Sequence, residues 1–271
     1  MAKMADMQGL GHPEGHNYEA GSPHLKHTQL REAICESLRA QICKILARKP
    51  SCRVLEVGAG HGDFTDVLLG SGAEVVVTEM SEASASVLSN RYRHNPRVRV
   101  VLDSDGQWLS HTSESFDLVV CISVLHHIPD YVSFLDLAFQ KTLPGGGFVT
   151  WQDPLWYPRR SRSNLALDKG AYFAWRLGQG EISRGISTRA RRLRGVMDES
   201  NPSDMVEYHV VRNGVDEQAV VRLASKYFND AQMRLYWSTQ SRLLQAAGGR
   251  TRFKTTFGVI ATDAKGASVT A

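Results

Sequence analysis

Long apolar segments, paired cysteines and internal repeats are what this sequence lacks. No apolar run approaches the roughly 20 residues that cross a bilayer. The polar start, Met1–Met7, has no signal-peptide core, so we expect a cytoplasmic protein without a membrane span. The four cysteines form no CxxC pair, which argues against a disulfide scaffold and a zinc site. With 42% hydrophobic and 22% charged residues in 271, the composition is that of a globular protein with a sizeable core.

The net charge of +4 hides an uneven distribution of charge. Residues 155–195 hold ten basic side chains, nine of them arginines, against two acids, so this stretch has a local excess of +8 and the rest of the chain carries −4. The arginines fit a solvated helix face, a pocket for a carboxylate or phosphate of the substrate, or a surface for RNA or anionic lipid. Aromatic residues do not interleave with them as in RNA-binding modules, so nucleic acid is the least favoured partner.

Short apolar runs alternate with helical patterns through the first half of the chain. The sequence predicts strands at Arg53–Val57, Glu74–Thr78, Val98–Leu102, Phe116–Ser123 and Gly146–Gln152. Helices are predicted around them at 28–48, 63–69, 82–92 and 131–143. Runs that are apolar on both faces and alternate with helices are typical of a parallel sheet covered on each side. The predicted fold class is therefore α/β, a doubly wound, mostly parallel, Rossmann-like sheet.

The same patterns divide the chain into five segments. We expect an N-terminal arm or lid at 1–27, a ligand-binding Rossmann-like core at 28–154, a helical, arginine-rich cap inserted after strand five at 155–214, a return to the core at 215–264, and a flexible tail at 265–271. The returning segment is predicted to hold a helix at 216–227 and strands at 233–238 and 253–262. The sheet would then contain seven strands.

A glycine-rich turn follows the first predicted strand, in Val54–Thr65 (VLEVGAGHGDFT). Glycines at 58, 60 and 62 allow a ligand close to the backbone, and free N–H groups at the following helix start can hold an anion. Glu79 ends the second strand 21 residues after the first of these glycines, where a carboxylate can accept both hydroxyls of a ribose.

Two details distinguish this turn from a dinucleotide site. Dinucleotide enzymes use GxGxxG, whereas the third glycine here comes one residue early. Glu56 also precedes the turn, and a carboxylate suits a cationic ligand better than a pyrophosphate. A ligand with a ribose, an amino-acid end and a positive centre fits this pattern, and S-adenosylmethionine is such a ligand.

At this point the chain resembles the class I S-adenosylmethionine-dependent methyltransferases, particularly the small-molecule branch of the ubiquinone/menaquinone-biosynthesis type. Four blocks carry the resemblance: LEVGAGHG from Leu55, VVTEMS from Val76, SDGQWL from Ser104 and FDLVVCISVLHHIPD from Phe116, supported by LPGGG from Leu143. It covers roughly residues 28–153, with weaker support from 216–263. It implies a seven-stranded sheet whose last strand is antiparallel, S-adenosylmethionine as cofactor and S-adenosylhomocysteine as product.

The resemblance also implies a set of cofactor-binding residues. These are Glu56 and the backbone of Gly58, Ala59 and Gly60 at the methionine end, Glu79 at the ribose, Met80 and Gly106 at the adenine, and Cys121 beneath the cofactor. Asp105 matches the family's acceptor for the adenine amine. Asp103 is a competing candidate, because the usual glycine before the aspartate is missing here. An N-terminal tyrosine often closes over the cofactor in related enzymes, and Tyr18 is the matching choice.

Candidate catalytic and acceptor-binding residues lie after strand four and in the cap. His126 and His127 follow strand four, where one of them could be a general base, although both could simply orient the loop before Pro129. Aromatic and polar residues of the cap, which could equally be packing or a connector, are candidate substrate contacts: Trp156, Tyr157, Tyr208 and His209. The histidines of the arm match no standard zinc spacing, so we expect no metal.

The sequence therefore predicts transfer of a methyl group from S-adenosylmethionine to an O, N or C atom of a small molecule, such as a secondary metabolite or lipid-like compound. An RNA or protein methyltransferase that uses the basic cap is one alternative. An NAD(P)-dependent oxidoreductase and a non-catalytic cofactor-binding protein are two others. The sequence does not determine the acceptor or the oligomeric state.

Overall fold

The computed structural model describes residues 22–178 and 213–266. Its helices are α1 (Pro23–Lys26), α2 (Thr28–Leu46), α3 (Thr65–Gly70), α4 (Glu82–Tyr92), α5 (Trp108–His111), α6 (Tyr131–Gln140), α7 (Arg162–Gly178), α8 (Glu217–Tyr227) and α9 (Arg242–Gly248). Its strands are β1 (Arg53–Val57), β2 (Glu74–Glu79), β3 (Val98–Leu102), β4 (Phe116–Ile122), β5 (Thr142–Pro154), β6 (Phe228–Tyr236) and β7 (Thr256–Ala264). Single 3₁₀ turns cover Leu125–His127 and Tyr157–Arg159.

The strands form one seven-stranded sheet in the order β3-β2-β1-β4-β5-β7-β6. Strands β1 to β5 pair in parallel, whereas β7 runs antiparallel to both β5 and β6. The chain order reverses between β1 and β4, so the carboxyl ends of these two strands flank the crevice in which this type of sheet binds ligands. The predicted fold class and the antiparallel last strand are confirmed.

The core forms because the central strands are apolar on both faces. Every residue of β4 is buried, and so are Val54 and Leu55 of β1. Leu55 packs in the cluster that β4 and β5 share with α6 and α8, whereas Val54 packs in a second cluster with α2 and α3. The two clusters lie on opposite faces of the sheet, which is why helices cover it on each side.

The element boundaries differ most from the predicted ones at the starts of the last three strands in the chain. Strand β5 begins at Thr142, whereas the preceding helix was predicted to reach Leu143; β6 and β7 begin at Phe228 and Thr256 instead of 233 and 253. The early start of β5 depends on close backbone contact, since a Cβ at Gly146 would lie 2.5 Å from the carbonyl oxygen of Asp117. Helices α1, α5 and α9 were not predicted.

The segment after β5 is described only in part. Helix α7 occupies its first half, and residues 179–212 lie outside the described residues, so a complete helical cap remains a prediction. Residues 1–21 and 267–271, which include Tyr18, also lie outside them, as do Tyr208 and His209. Within the described ranges, no helix is long and apolar enough to cross a bilayer.

Candidate active site

The glycine turn after β1 has the backbone shape that the sequence predicted. Gly58, Gly60 and Gly62 all have positive φ, at 67°, 59° and 92°. A Cβ at Gly58 would lie 2.8 Å from Cγ2 of Val124, and one at Gly62 would lie 2.6 Å from the hydroxyl of Tyr92. Glycine is therefore required by conformation at all three positions, and by space at Gly58 and Gly62.

Glu79 closes the end of β2 against this turn. Its Oε2 accepts a hydrogen bond from the amide of Gly60 at 3.0 Å, and its Oε1 accepts from the amides of Met80 and Ser81 at 3.0 and 3.1 Å. Burial raises the pKa of the Glu79 carboxyl, and the three amides oppose that rise. The structure thus brings together three predicted cofactor residues, Gly60, Glu79 and Met80.

Glu56 is a buried carboxylate beside the turn. Its Oε2 accepts a 2.6 Å hydrogen bond from Oγ1 of Thr65, a residue that the sequence analysis did not single out. Burial is the main cause that raises the pKa of Glu56 to about 7. The hydrogen bond from Thr65 opposes this rise, and the nearby charges of Asp66, Glu79 and Asp63 contribute to it. No described lysine, arginine or histidine forms an ion pair with Glu56, so its environment suits a cationic ligand.

The predicted adenine side of the site lies between β2 and β3. A Cβ on Gly106 would lie 3.5 Å from Cε of Met80, so these two residues are neighbours as the resemblance implies. Asp105 is exposed and accepts from the amide of Gln107 at 3.0 Å. Asp103 accepts from the amide of Trp108 at 2.9 Å, and burial raises its pKa. Asp105 stays the predicted acceptor for the adenine amine.

Cys121 lies within the sheet, one strand away from the turn. It pairs with Val57 at the end of β1 and with Thr150 of β5, and it is fully buried. Burial raises the pKa of its thiol well above the usual value. The side chain is therefore an unreactive part of the core below the glycine turn.

A buried histidine–aspartate pair lies at the ends of β4 and β5. Nδ1 of His126 is 2.9 Å from Oδ1 of Asp153, and the His126 amide donates to the same oxygen at 3.2 Å. Oδ2 of Asp153 accepts from Oγ1 of Thr150 at 2.8 Å, so each carboxylate oxygen is bound. Asp153 has no exposed surface, and this bonding fixes the orientation of the imidazole ring.

Two further histidines, His127 and His24, lie near this pair. The rings of His126 and His127 are 4.1 Å apart between centroids and tilted by 45°. His24 of α1 stacks on Phe64 of the glycine turn at 6.0 Å. Burial, with a smaller effect from the neighbouring His126, lowers the pKa of His24 to about 3, so this ring is neutral at pH 7. Helix α1 therefore lies over the same crevice.

Comparison with known proteins agrees with this geometry. Residues 55–148 match the family described as a methyltransferase domain. A ubiquinone biosynthesis O-methyltransferase from Psychrobacter arcticus is 30% identical over 200 residues, which cover 70% of this chain and 67% of that protein. This chain belongs to the class I S-adenosylmethionine-dependent methyltransferases. The cofactor of the family is S-adenosylmethionine.

Other relatives match this methyltransferase over a shorter stretch of sequence. A ubiquinone biosynthesis O-methyltransferase from Hahella chejuensis is 32% identical over 112 residues, 40% of this chain and 46% of that protein. The match therefore spans about half the length of some curated relatives.

Among solved structures, the N-methyltransferase NodS from Bradyrhizobium japonicum WM9, in complex with S-adenosylhomocysteine, has a TM-score of 0.53 at 14% identity, over 94% of this chain and 97% of that one. Magnesium protoporphyrin IX methyltransferase from Synechocystis PCC 6803 has a TM-score of 0.53 at 13% identity, over 96% and 94%. These likenesses show the fold.

On the acceptor side of this methyltransferase, the structure describes two of the four predicted substrate residues. The amide of Trp156 donates to Oε2 of Glu217 at 3.2 Å, and the amide of Tyr157 donates to the carbonyl oxygen of Asn213 at 2.7 Å. Both side chains are half-buried. These bonds tie the start of the cap segment to the chain that returns before α8, and a substrate contact by either residue stays a prediction.

Two arginines of the basic stretch are already used within the protein. Arg159 binds Asp216 and Glu217 at 2.5 and 3.0 Å. Arg160 binds Asp168 at 2.7 Å, and its side chain is only 3% exposed. These two arginines are structural, which lowers the basic charge available for an external anion.

Proposed function

We propose that this chain transfers a methyl group from S-adenosylmethionine to a hydroxyl group of a small molecule. The observation that carries the proposal is the 2.9 Å contact between His126 and Asp153, which supplies an oriented base at the edge of the sheet that also carries the glycine turn. A hydroxyl needs such a base more than an amine does, because it must lose its proton as it attacks.

The residues around the turn fit the cofactor. The buried carboxylate of Glu56, which forms no ion pair with a described basic residue, suits the ammonium of its methionine end, and the backbone of Gly58, Ala59 and Gly60 would hold the same end. Glu79 would bind the ribose hydroxyls, with Met80, Asp105 and Gly106 at the adenine. Tyr18 of the arm would close over the bound cofactor.

The proposed mechanism assigns the proton to His126. When bound, the cofactor supplies a sulfonium-activated methyl group, and S-adenosylhomocysteine remains after the acceptor oxygen has taken it. In this proposal Nδ1–H of His126 donates to Asp153, and Nε2 would be the nitrogen that takes the hydroxyl proton. Such a base contributes about 10²–10⁴-fold, and alignment of the reactants supplies about 7–11 kcal/mol. His127, which packs against His126, is the second candidate for the base.

The acceptor that we propose is a hydroxylated secondary metabolite or a lipid-like phenol. The O-methyltransferases of ubiquinone biosynthesis among the relatives support an oxygen acceptor. Trp156, Tyr157, Tyr208 and His209 are the proposed contacts, and the cytoplasm is the proposed location. The internal ion pairs of Arg159 and Arg160 count against RNA as the acceptor.

Incubation with methyl-labelled S-adenosylmethionine tests this function. The enzyme would be mixed with a panel of phenols, hydroxylated quinone precursors and amines, and separately with RNA, protein and a metabolite extract, before mass spectrometry. We expect label on the oxygen of a small molecule. Label only on amines, RNA or protein would contradict the proposed acceptor, and tight binding of NADH without binding of S-adenosylhomocysteine would contradict the methyltransferase assignment itself.

A further inference from the structure

The outer strand β6 is exposed along most of its length. In the sheet that the described residues form, β7 pairs with one side of β6 and no strand pairs with the other. Met233 and Leu235 are 37% and 44% exposed, which is high for large apolar side chains in a strand. A nine-residue edge with exposed apolar side chains is a surface that can pair with another strand.

The backbone groups available on this edge belong to the odd-numbered residues. The amide of Thr255 donates to the carbonyl oxygen of Tyr236 at 3.0 Å, so the backbone of Tyr236 faces β7. Successive residues of a strand direct their N–H and C=O groups to opposite edges. Asp230, Gln232 and Arg234 therefore bond to β7, whereas the N–H and C=O groups of Ala231, Met233 and Leu235 point outward.

Asp230, Gln232 and Arg234 are complementary to a second copy of themselves. Asp230 and Arg234 lie two residues before and after Gln232, on the same face of β6. Nη2 of Arg234 donates to Oε1 of Gln232 at 3.2 Å, and Nε2 of Gln232 donates to Oδ2 of Asp230 at 3.0 Å. In an antiparallel pair of β6 strands centred on Gln232, the acid of each copy faces the arginine of the other. The same register sets Ala231 opposite Met233 on the other face.

We propose that β6 is a dimerisation edge, at which two copies of this chain pair antiparallel about Gln232. A two-fold axis through this residue makes the contact self-complementary, so that it closes as a dimer and does not propagate. In this register Gln232 forms the central non-bonded pair, and Ala231 of each copy exchanges two backbone hydrogen bonds with Met233 of the other, so that the two sheets become one. The contact involves none of the residues assigned to the cofactor or the acceptor.

Charge variants test the pairing by sedimentation equilibrium of the full chain. Asp230→Arg sets arginines against each other at two symmetric positions, and we expect the dimer dissociation constant to rise about tenfold or more. The double variant Asp230→Arg/Arg234→Asp exchanges the charges and is expected to restore the constant to within about threefold. Glu36→Arg, an equal charge change at an exposed site on α2, should leave it unchanged.

A cysteine at the axis tests the register. Opposite Cα atoms in a non-bonded pair lie about 4.5 Å apart, within the range of a disulfide. In a Cys43→Ser background, which removes the exposed native thiol, Gln232→Cys should oxidise to a covalent dimer, whereas Asp230→Cys faces an arginine and should not. A wild-type chain that stays monomeric at its highest soluble concentration overturns the proposal, as does a dimer that none of the β6 variants weakens.

Discussion

Asp153 holds His126 through two contacts to one carboxylate oxygen, from Nδ1 at 2.9 Å and from the backbone amide at 3.2 Å. A bulge makes this possible: the β5–β7 register slips between Thr150 and Asp153, and Gln152 has a φ of 69°. The extra residue turns the aspartate toward the end of β4. The same oxygen therefore fixes both the backbone and the ring of the proposed base.

Asp153→Asn tests this relationship. The asparagine amide can donate to Nδ1 of His126, which would place the ring proton on Nε2 and remove the base. We expect kcat to fall about 10²–10⁴-fold, while the affinity for S-adenosylhomocysteine changes less than about twofold. Steady-state kinetics and calorimetry measure these two quantities, and a melting curve checks that the variant is folded. His126→Gln should likewise lower kcat while the affinity for S-adenosylhomocysteine changes little. Full activity in both variants would exclude His126 as the base.

Glu79→Gln tests the cofactor side of the crevice. Glutamine keeps one acceptor oxygen, so it cannot accept from Gly60 on one side and from Met80 and Ser81 on the other. Loss of a charged hydrogen-bond acceptor costs about 1.5–3 kcal/mol, and we expect calorimetry to show roughly 10- to 100-fold weaker binding of S-adenosylhomocysteine. Glu74→Gln, at the exposed start of the same strand, is the matched control. Equal affinities in the two variants would contradict the ribose role of Glu79.

The sequence was sufficient for features that local interactions determine. Helix α4 begins after Ser81, whose Oγ accepts from the amide of Ser84, and both its ends match the prediction. The pairing of His126 with Asp153 could not be predicted, because it depends on a bulge between strands that are distant in sequence. This bulge needs Gly258, where a Cβ would lie 2.6 Å from the carbonyl oxygen of Thr150. The start of β6 was missed for a similar reason: Asn229 and Asp230 have low strand propensity, and the ladder with β7 overrides it.

Gly58→Ala tests the conformation of the turn. A Cβ there meets Val124 at 2.8 Å and also requires a φ of 67°, which L-residues rarely adopt. We expect the free energy of unfolding to fall by about 2–4 kcal/mol in urea titrations. Gly70→Ala is the matched control, because no atom lies within 4 Å of its added methyl group and α3 should gain up to about 1 kcal/mol. Equal stabilities of the two variants would refute the close packing at the turn.

The buried carboxyl of Glu56 predicts that cofactor binding releases a proton. Its pKa of about 7 in the free protein leaves it partly protonated at neutral pH. The ammonium of S-adenosylhomocysteine favours the ionised form, so binding lowers this pKa. The affinity should therefore rise as the pH increases toward about 7, by up to tenfold per unit, and then level off. Calorimetry in two buffers of different ionisation enthalpy measures the released proton directly.

Glu56→Gln tests whether Glu56, and no other titratable group in the crevice, causes this pH dependence of the affinity. The variant should bind S-adenosylhomocysteine with little dependence on pH between 5 and about 8, and its loss of affinity should be largest at the alkaline end. In the free protein, Glu56→Gln should also remove a pH-dependent change in the free energy of unfolding. Because the folded pKa lies above the usual 4.5, ionisation of Glu56 destabilises the wild type as the pH rises from about 4.5 to 7. An affinity that falls over this range in the wild type, or a variant that keeps the wild-type pH profile, would show that Glu56 does not face the ammonium.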